Sequence, residues 1–382
     1  MKIRMFRILS GVLFCVALDS SSWAASPVSN LNVTSWAYQL QEIDVDQVVA
    51  ADSFQLIVID YSADGGMEGK FTPEQIGRIR QSGKKVIAYL SIGEAESYRS
   101  YWNIDWESNP PSWLGPENQN WLSNYKVRFW DPAWQSVIFG YLDEIYDQGF
   151  DGIYCDIIDA YYYWQEENPE KPDADALMAQ FIIDLREHLS DRKDREFAII
   201  IQNGETIIDE ENVTDILRGQ LFDAIDGIGV EDVFFSGDQD DNNPYHPELE
   251  RLPYLREFLE NGKTVLSVEY LTDPSLIQTY LIEAEKEGFV PYVARRSLSQ
   301  LSSKPLKVSL SVRLGIVSEA GQLTIEIIGG SGGEVWNIER SSNLVDWELV
   351  GKVVLEMNDG FASGVLAGVA LDGGSSFFRA TR

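Results

Sequence analysis

The chain has 382 residues, 44% hydrophobic and 24% charged, and its 61 acidic against 30 basic side chains give a formal net charge of -31. An aromatic content of 12% excludes an intrinsically disordered chain, because such chains lack the apolar residues that build a core. The negative charge repels phosphate backbones and anionic lipid, so we expect neither nucleic acid nor a membrane as a partner, and a neutral or cationic ligand is favoured.

Residues 1–24 have the pattern of a secretory signal peptide. Basic residues precede the apolar run Ile8–Leu18, and a small-residue stretch ending at Ala24 follows it. The run is too short to cross a bilayer comfortably, and no later segment reaches about 20 apolar residues. We therefore expect a secreted or periplasmic protein. Cleavage would remove Cys15 and leave Cys155 alone, so no internal disulfide is predicted.

From residue 25 to residue 303, short apolar runs alternate with amphipathic stretches. The runs are almost continuously hydrophobic, which is typical of parallel strands covered on both faces. The predicted strands are Ser35–Leu40, Leu56–Tyr61, Lys85–Ile92, Gly152–Ile157, Phe197–Gln202, Gly227–Val233, Thr264–Tyr270 and Val290–Ala294. The predicted helices are 72–83, 131–149, 173–189, 247–261 and 273–288. Strands alternating with helices predict a (β/α)8 TIM barrel, and the lack of a Gly-x-Gly-x-x-Gly motif after the first strand disfavours the doubly wound alternative.

Residues 304–382 contain short β-like segments between Gly- and Ser-rich turns, which predicts an accessory antiparallel β domain. The segments are Leu306–Leu314, Gln322–Ile328, Glu334–Arg340, Leu349–Val354 and Phe377–Ala380. The stretch Ile338–Trp347, with Phe377–Arg379, is similar to a β module at the ends of secreted bacterial proteins. We interpret Trp336 and Trp347 as core residues rather than as a sugar platform.

Carboxylates follow six consecutive strands of the predicted barrel. In this fold the functional residues lie at the C-terminal ends of the strands. The carboxylates at these positions are Asp60, Glu94, Asp156, Glu205, Glu231 and Glu269. One such carboxylate can simply be a solvated residue at a strand end, but six at corresponding positions indicate a functional site at this end of the barrel, its mouth. Crowded carboxylates raise each other's proton affinity, so that one stays protonated while another ionises, as glycosidic bond cleavage requires.

Tryptophans are concentrated between the third strand and the residues just beyond the fourth. They are Trp102, Trp106, Trp113, Trp121, Trp130, Trp134 and Trp164. We expect about half of them to make structural contacts and the others to stack on apolar sugar faces or on ammonium groups.

Several segments together resemble the endo-α-1,4-polygalactosaminidase family of glycoside hydrolases (family 114). The matching segments are Lys85–Glu94, Glu96–Trp102, Trp130–Pro132, Phe150–Asp159, Gln202–Glu205 and Glu231–Phe234. The resemblance covers most of the chain from Trp36 to Arg295. It implies a TIM barrel that hydrolyses a galactosamine-containing polysaccharide without a cofactor. A partly deacetylated, cationic polymer of this kind would suit the acidic chain.

The resemblance also implies roles for individual residues. Asp156 would be the nucleophile or transition-state stabiliser, and Glu231 the general acid/base. The substrate-binding or pKa-tuning residues would be Asp60, Tyr61, Glu94, Asp159, Glu205 and Tyr270. Because the stretch after the fifth strand looks longer here than in the family, Glu205 competes with Glu231 for the acid role.

Two other functions remain open at this point. Carboxylates including Glu94, Asp156, Glu205 and Glu231 can ligate Mg²⁺ as in enolase-type barrels, although no His or Lys follows a predicted strand to act as the base. A barrel that binds polysaccharide without cleaving it is the non-enzymatic alternative.

Overall fold

The computed structural model describes residues 31–192, 195–302, 311–317, 322–328, 335–343, 345–358, 361–370 and 377–381. Eight parallel strands form one sheet in chain order. They are β1 Trp36–Gln39, β2 Leu56–Ile59, β3 Lys85–Ser91, β4 Gly152–Asp156, β5 Ala198–Gln202, β6 Gly227–Glu231, β7 Thr264–Tyr270 and β8 Val290–Ala294. The Trp36 indole donates to the Val290 carbonyl at 2.8 Å and so joins the first strand to the last. The predicted (β/α)8 barrel is confirmed.

Helices connect the strands in the described part of the barrel. They are α1 Val45–Ala50, α2 Pro73–Gln81, α3 Pro132–Gln148, α4 Ala174–His188, α5 Asp215–Ala224, α6 Leu252–Glu260 and α7 Pro274–Glu287. The predicted caps are present: Thr72 forms a capping box with Gln75, and Gly149 and Gly288 end α3 and α7 with positive φ. The helix predicted to start at residue 247 begins only at Leu252, and α1 and α5 were not predicted.

Aromatic side chains fill the barrel beneath its mouth. The Trp36 and Tyr38 rings lie 6.0 Å apart, and the Tyr154 ring lies 5.3 Å from that of Tyr38. A Cβ atom at Gly229 would lie 1.7 Å from the Tyr154 hydroxyl, so only glycine leaves room for that ring. Cys155 is buried with a free thiol.

The connection from β3 to α3 carries a small antiparallel sheet of its own. Strand Asn124–Val127 lies between Glu94–Glu96 and Leu114–Glu117. Glu94 pairs with Lys126 in this sheet. The insertion begins three residues after β3 ends, so it stands on the mouth side of the barrel.

The C-terminal part is antiparallel β structure. A four-stranded sheet has the order Ser311–Val317, Gln322–Ile328, Phe361–Ala370, Glu356–Asn358, and a three-stranded sheet has the order Glu348–Val354, Val335–Ser341, Phe377–Thr381. Ile338, Val353, Leu355 and Val369 form its core, and Trp336 packs against them. The long strand Phe361–Ala370 was not predicted, and the start of the predicted segment Leu306–Leu314 lies outside the described residues. Among the described residues, no helix has the length and apolarity needed to cross a membrane.

Candidate active site

Asp156 is the last residue of β4 and lies half-buried at the barrel mouth. The Tyr89 hydroxyl, from β3, donates to Asp156 Oδ2 at 2.6 Å, and the backbone N–H of Ile157 donates to Oδ1 at 2.7 Å. Burial raises the pKa of Asp156 to about 7, and the negative charge of Glu231 adds to the increase. The two hydrogen bonds oppose it, because they stabilise the carboxylate.

Glu231 ends β6, two strands away from Asp156, and is also half-buried. The Tyr270 hydroxyl donates to its Oε1 atom, and Asn203 Nδ2 donates to Oε2 at 3.3 Å. The backbone N–H of Glu231 donates in turn to Asn203 Oδ1 at 3.1 Å. Burial and the charge of Glu231 raise the pKa of Tyr270 well above its usual value, so this tyrosine stays a donor.

Two arginines hold the groups around Glu231. Arg296, beyond β8, binds both carboxylate oxygens of Asp232 at 2.8 and 2.9 Å, and its guanidinium lies 3.8 Å from the centre of the Tyr270 ring. Arg251, at the start of α6, donates to the Glu231 carbonyl at 2.8 Å and to Asn203 Oδ1 at 3.2 Å. These contacts fix both neighbours of the Glu231 carboxylate.

The backbone turns sharply after three adjacent strands. Ile157, Asn203 and Asp232 follow β4, β5 and β6 directly and have φ of 60°, 53° and 55°. This left-handed region is uncommon for residues other than glycine and a clear outlier for a β-branched residue such as Ile157. Strained backbone of this kind is concentrated at functional sites.

Asp60 and Tyr61 lie below the surface of the mouth. Arg99 Nη1 donates to Asp60 Oδ2 at 2.6 Å, and the same guanidinium binds Glu96. Burial raises the pKa of Asp60 to about 6, although Arg99 opposes the increase. The Tyr61 ring is fully buried with its centre 4.8 Å from that of Tyr141, so the structure does not bring it to a surface that a sugar can reach.

Glu94 and Glu205 are both buried and paired with cations. Glu94 Oε1 accepts from Asn118 at 2.9 Å and lies 3.4 Å from Lys126 Nζ, while burial raises the pKa of Glu94. Glu205 forms an ion pair with Arg251. Asp159, by contrast, is exposed after β4.

More of the seven tryptophans make structural contacts than expected. Trp113, Trp134 and Trp164 are buried, and Trp102, Trp106 and Trp130 pack against the core, so six of the seven make structural contacts instead of about half. Trp121 alone among these seven is mostly exposed.

The main partners of the strand-end carboxylates were not predicted. Tyr89, Arg99, Lys126, Arg251 and Arg296 bind carboxylates from other elements. Two of them had a positional signal in the sequence: Tyr89 lies three residues before the end of a predicted strand, and Arg296 lies two residues after the end of another.

No group of three or more His, Cys, Asp or Glu side chains among the described residues is arranged to hold a metal ion. Lys126 and Arg251 neutralise two of the four carboxylates that an enolase-type site would use. The geometry therefore gives the Mg²⁺ alternative no support.

Comparison with known proteins identifies the family of the chain. The model of glycoside-hydrolase family GH114 matches residues 16–309. An uncharacterized protein of Methanocaldococcus jannaschii is 38% identical over 283 residues, which cover 72% of this chain and 79% of the relative.

Two solved structures share the fold. The glycoside hydrolase domain of PelA from Pseudomonas aeruginosa aligns with a TM-score of 0.54 at 16% identity, over 71% of this chain and 99% of that domain. Ega3 of Aspergillus fumigatus, in complex with galactosamine, aligns with a TM-score of 0.52 at 18% identity, over 70% of this chain and 94% of the other. The chain therefore belongs to glycoside hydrolase family GH114 and is a glycoside hydrolase.

Proposed function

We propose that the protein is a secreted hydrolase of α-linked, galactosamine-containing polysaccharide, with Asp156 and Glu231 as its catalytic pair. The observation that carries this proposal is the electrostatic coupling of the two carboxyl groups. Asp156 and Glu231 end β4 and β6, which are separated by one strand of the same sheet, and the charge of Glu231 raises the pKa of Asp156, as expected for a pair that divides the acid and base roles. Each is also held by a tyrosine hydroxyl from a neighbouring strand.

In the proposed reaction, Glu231 donates a proton to the glycosidic oxygen as the bond to the anomeric carbon breaks. Asp156, as the carboxylate, forms a bond to that carbon or stabilises its positive charge. Glu231 then takes a proton from a water that attacks the anomeric carbon, and any bond between that carbon and Asp156 breaks to release the carboxylate. Tyr89 and Ile157 N–H hold the Asp156 carboxylate in place during both steps.

The surroundings of Glu205 support Glu231 as the acid. The Glu205 side chain is buried in an ion pair with Arg251, which contacts both of its carboxylate oxygens. Glu231 keeps some exposure to the mouth and has no arginine on its carboxylate among the described residues. We assign Glu205 to holding Arg251, and through it Asn203, beside Glu231.

Three observations support a galactosamine polymer as the substrate. Ega3, which shares the fold, is described in complex with galactosamine. The net charge of -31 attracts a cationic polymer and steers it to the chain. The exposed Asp159 carboxylate at the mouth can bind an ammonium group.

Product analysis tests the proposal. Protein lacking residues 1–24 is incubated with galactosaminogalactan, its deacetylated form and a panel of neutral polysaccharides, with and without EDTA. We expect oligosaccharide release that Glu231→Gln abolishes, that Glu205→Gln reduces only in part, and that EDTA leaves unchanged. Release that survives in Glu231→Gln and disappears in Glu205→Gln would overturn the assignment of the acid. Binding without release from any substrate would support the non-catalytic barrel.

A further inference from the structure

In the described part of the chain, the exposed aromatic side chains lie on one face of the barrel. Among the described residues, the aromatic side chains that are more than about a third exposed are Tyr98 at 46%, Trp121 at 64%, Tyr162 at 56% and Tyr245 at 46%. Tyr98 and Trp121 lie between β3 and α3, Tyr162 between β4 and α4, and Tyr245 between β6 and α6. All of these connections leave the C-terminal ends of strands, where Asp156 and Glu231 also lie. Large aromatic residues are mostly buried in folded proteins, so this distribution indicates a binding face.

Trp121 stands on a hairpin turn that is held rigidly. Asn118 Oδ1 accepts from the backbone N–H of Asn120 at 3.0 Å, and Glu117 Oε1 accepts from that of Ser123 at 2.8 Å. The N–H of Ser97 donates to the Ser123 carbonyl at 2.8 Å and joins the turn to the strand beside it. A side chain displayed on such a turn loses little conformational entropy on binding.

The turn is connected to the mouth through one amide group. Asn118 caps the turn with its oxygen and donates from Nδ2 to Glu94 Oε1 at 2.9 Å. Glu94 is 1% exposed, and its Oε2 atom accepts no hydrogen bond from the described residues. Trp121 is therefore held in a fixed position relative to the carboxylates that follow β3.

The polar residues around Trp121 indicate the kind of ligand. Apart from the exposed Leu122, its neighbours are polar: Asn120 and Ser123 carry an amide and a hydroxyl, which can pair with sugar hydroxyls, and the Gln119 amide donates to the Glu117 carbonyl at 3.1 Å. A ring face next to a few such groups is the composition of a small-molecule subsite, whereas the core of a protein interface is a continuous apolar patch.

We propose that Trp121 forms a stacking surface for a pyranose ring of the polysaccharide that lies outside the cleavage point. This proposal rests on the proposed function, since it extends the same mouth along the polymer. The apolar C–H face of a sugar ring packs on the indole, and the surrounding amides bind its hydroxyls. Longer chains then gain affinity that short oligosaccharides lack.

Binding and hydrolysis are measured separately with Trp121→Ala. The binding probe is intact deacetylated galactosaminogalactan in affinity electrophoresis, and hydrolysis is followed on this polymer and on its trisaccharide. We expect Trp121→Ala to weaken retardation and to raise KM for the polymer about five- to tenfold, as for loss of one aromatic contact, with an unchanged trisaccharide KM. Trp121→Phe should keep most of the affinity. Leu122→Ala, next to it on the same turn and also exposed, is the matched control.

An equal loss in Leu122→Ala, or an equal effect on polymer and trisaccharide, would overturn the stacking surface. Absence of retardation of wild-type protein by every polysaccharide in the panel would overturn it as well and point to a protein partner for this face. Retardation that depends on Trp121 without any hydrolysis would support the stacking surface and refute the catalytic proposal.

Discussion

The hydrogen bond from Tyr89 to Asp156 allows the proposed roles of Asp156 and Glu231 to be tested by the direction in which the pH dependence of activity shifts. If Asp156 is the nucleophile or stabiliser, it must be ionised, so kcat/KM should rise with pH through about 7, the pKa of Asp156. Tyr89→Phe removes a donor that stabilises the carboxylate. The pKa of Asp156 should therefore increase, and the rise in activity should move to higher pH.

The size of the effect follows from the bond. A hydrogen bond to a charged group contributes roughly 1.5–3 kcal/mol, and 1.36 kcal/mol corresponds to a change of one in pKa. Because Asp156 is only half-buried, water replaces part of the lost interaction, and we expect an increase of about one. At pH 6 the variant should be roughly tenfold less active than wild type, while at pH 9 the two should differ little.

The assay is the pH dependence of kcat/KM on the polysaccharide that product analysis identifies, with NMR titration of the Asp156 carboxyl as an independent measurement. Tyr141→Phe is the matched control, because Tyr141 is equally buried but its hydroxyl does not contact Asp156. An activity that falls through pH 7 and is extended to higher pH by Tyr89→Phe would show that Asp156 is the proton donor. The proposed roles of the two carboxyls would then be reversed.

Three further substitutions test the supports of the site. Arg296→Lys loses the planar guanidinium that lies over the Tyr270 ring while its Nη2 atom contacts both carboxylate oxygens of Asp232, and kcat should fall about tenfold with little change in the thermal unfolding midpoint. Burial raises the pKa of Glu269 to about 8, so this carboxyl ionises at a lower pH in the unfolded chain than in the native protein. The free energy of unfolding of the wild type should therefore fall as the pH rises from about 5 to about 8. At pH 8, the free energy of unfolding measured with urea should therefore be higher for Glu269→Gln than for wild type by about 1–3 kcal/mol. At pH 5 the two proteins should be equally stable. Gly93→Ala would place a Cβ atom 2.1 Å from the Ile157 carbonyl oxygen, so the free energy of unfolding measured with urea should fall by about 2–4 kcal/mol. An unchanged urea midpoint would refute this close packing.

The barrel could be predicted because its signals are local. Continuous hydrophobic runs specify strands that helices cover on both faces, and Thr72, Asp131 and Asp273 each cap a helix as their spacing indicates. The elements that were missed have weak local signals. Helix α1 has six residues, and the strand Phe361–Ala370 is rich in Gly and Ala, which have low β propensity.

The positions of the carboxylates were predictable, but their partners were not. A strand end specifies where a side chain emerges, whereas its ion pairs depend on loops far away in sequence. Arg99 reaches Asp60 across 39 residues, and Arg251 reaches Glu205 across 46. These pairings distinguish the buried, neutralised carboxylates from the half-buried Asp156 and Glu231, which the resemblance alone singled out.

The strained turns after β4, β5 and β6 explain how the barrel keeps these two groups in place. Each left-handed residue costs of order 1–3 kcal/mol, so each must be held by its surroundings. Gly93 leaves room for the Ile157 carbonyl, Arg251 binds Asn203, and Arg296 binds Asp232. The same arginines contact the backbone of Glu231 or the ring of its tyrosine donor. The contacts that hold the strained turns are therefore also the contacts that orient the two carboxyls proposed as the catalytic pair, and part of the stability of the barrel is used to keep them in fixed positions.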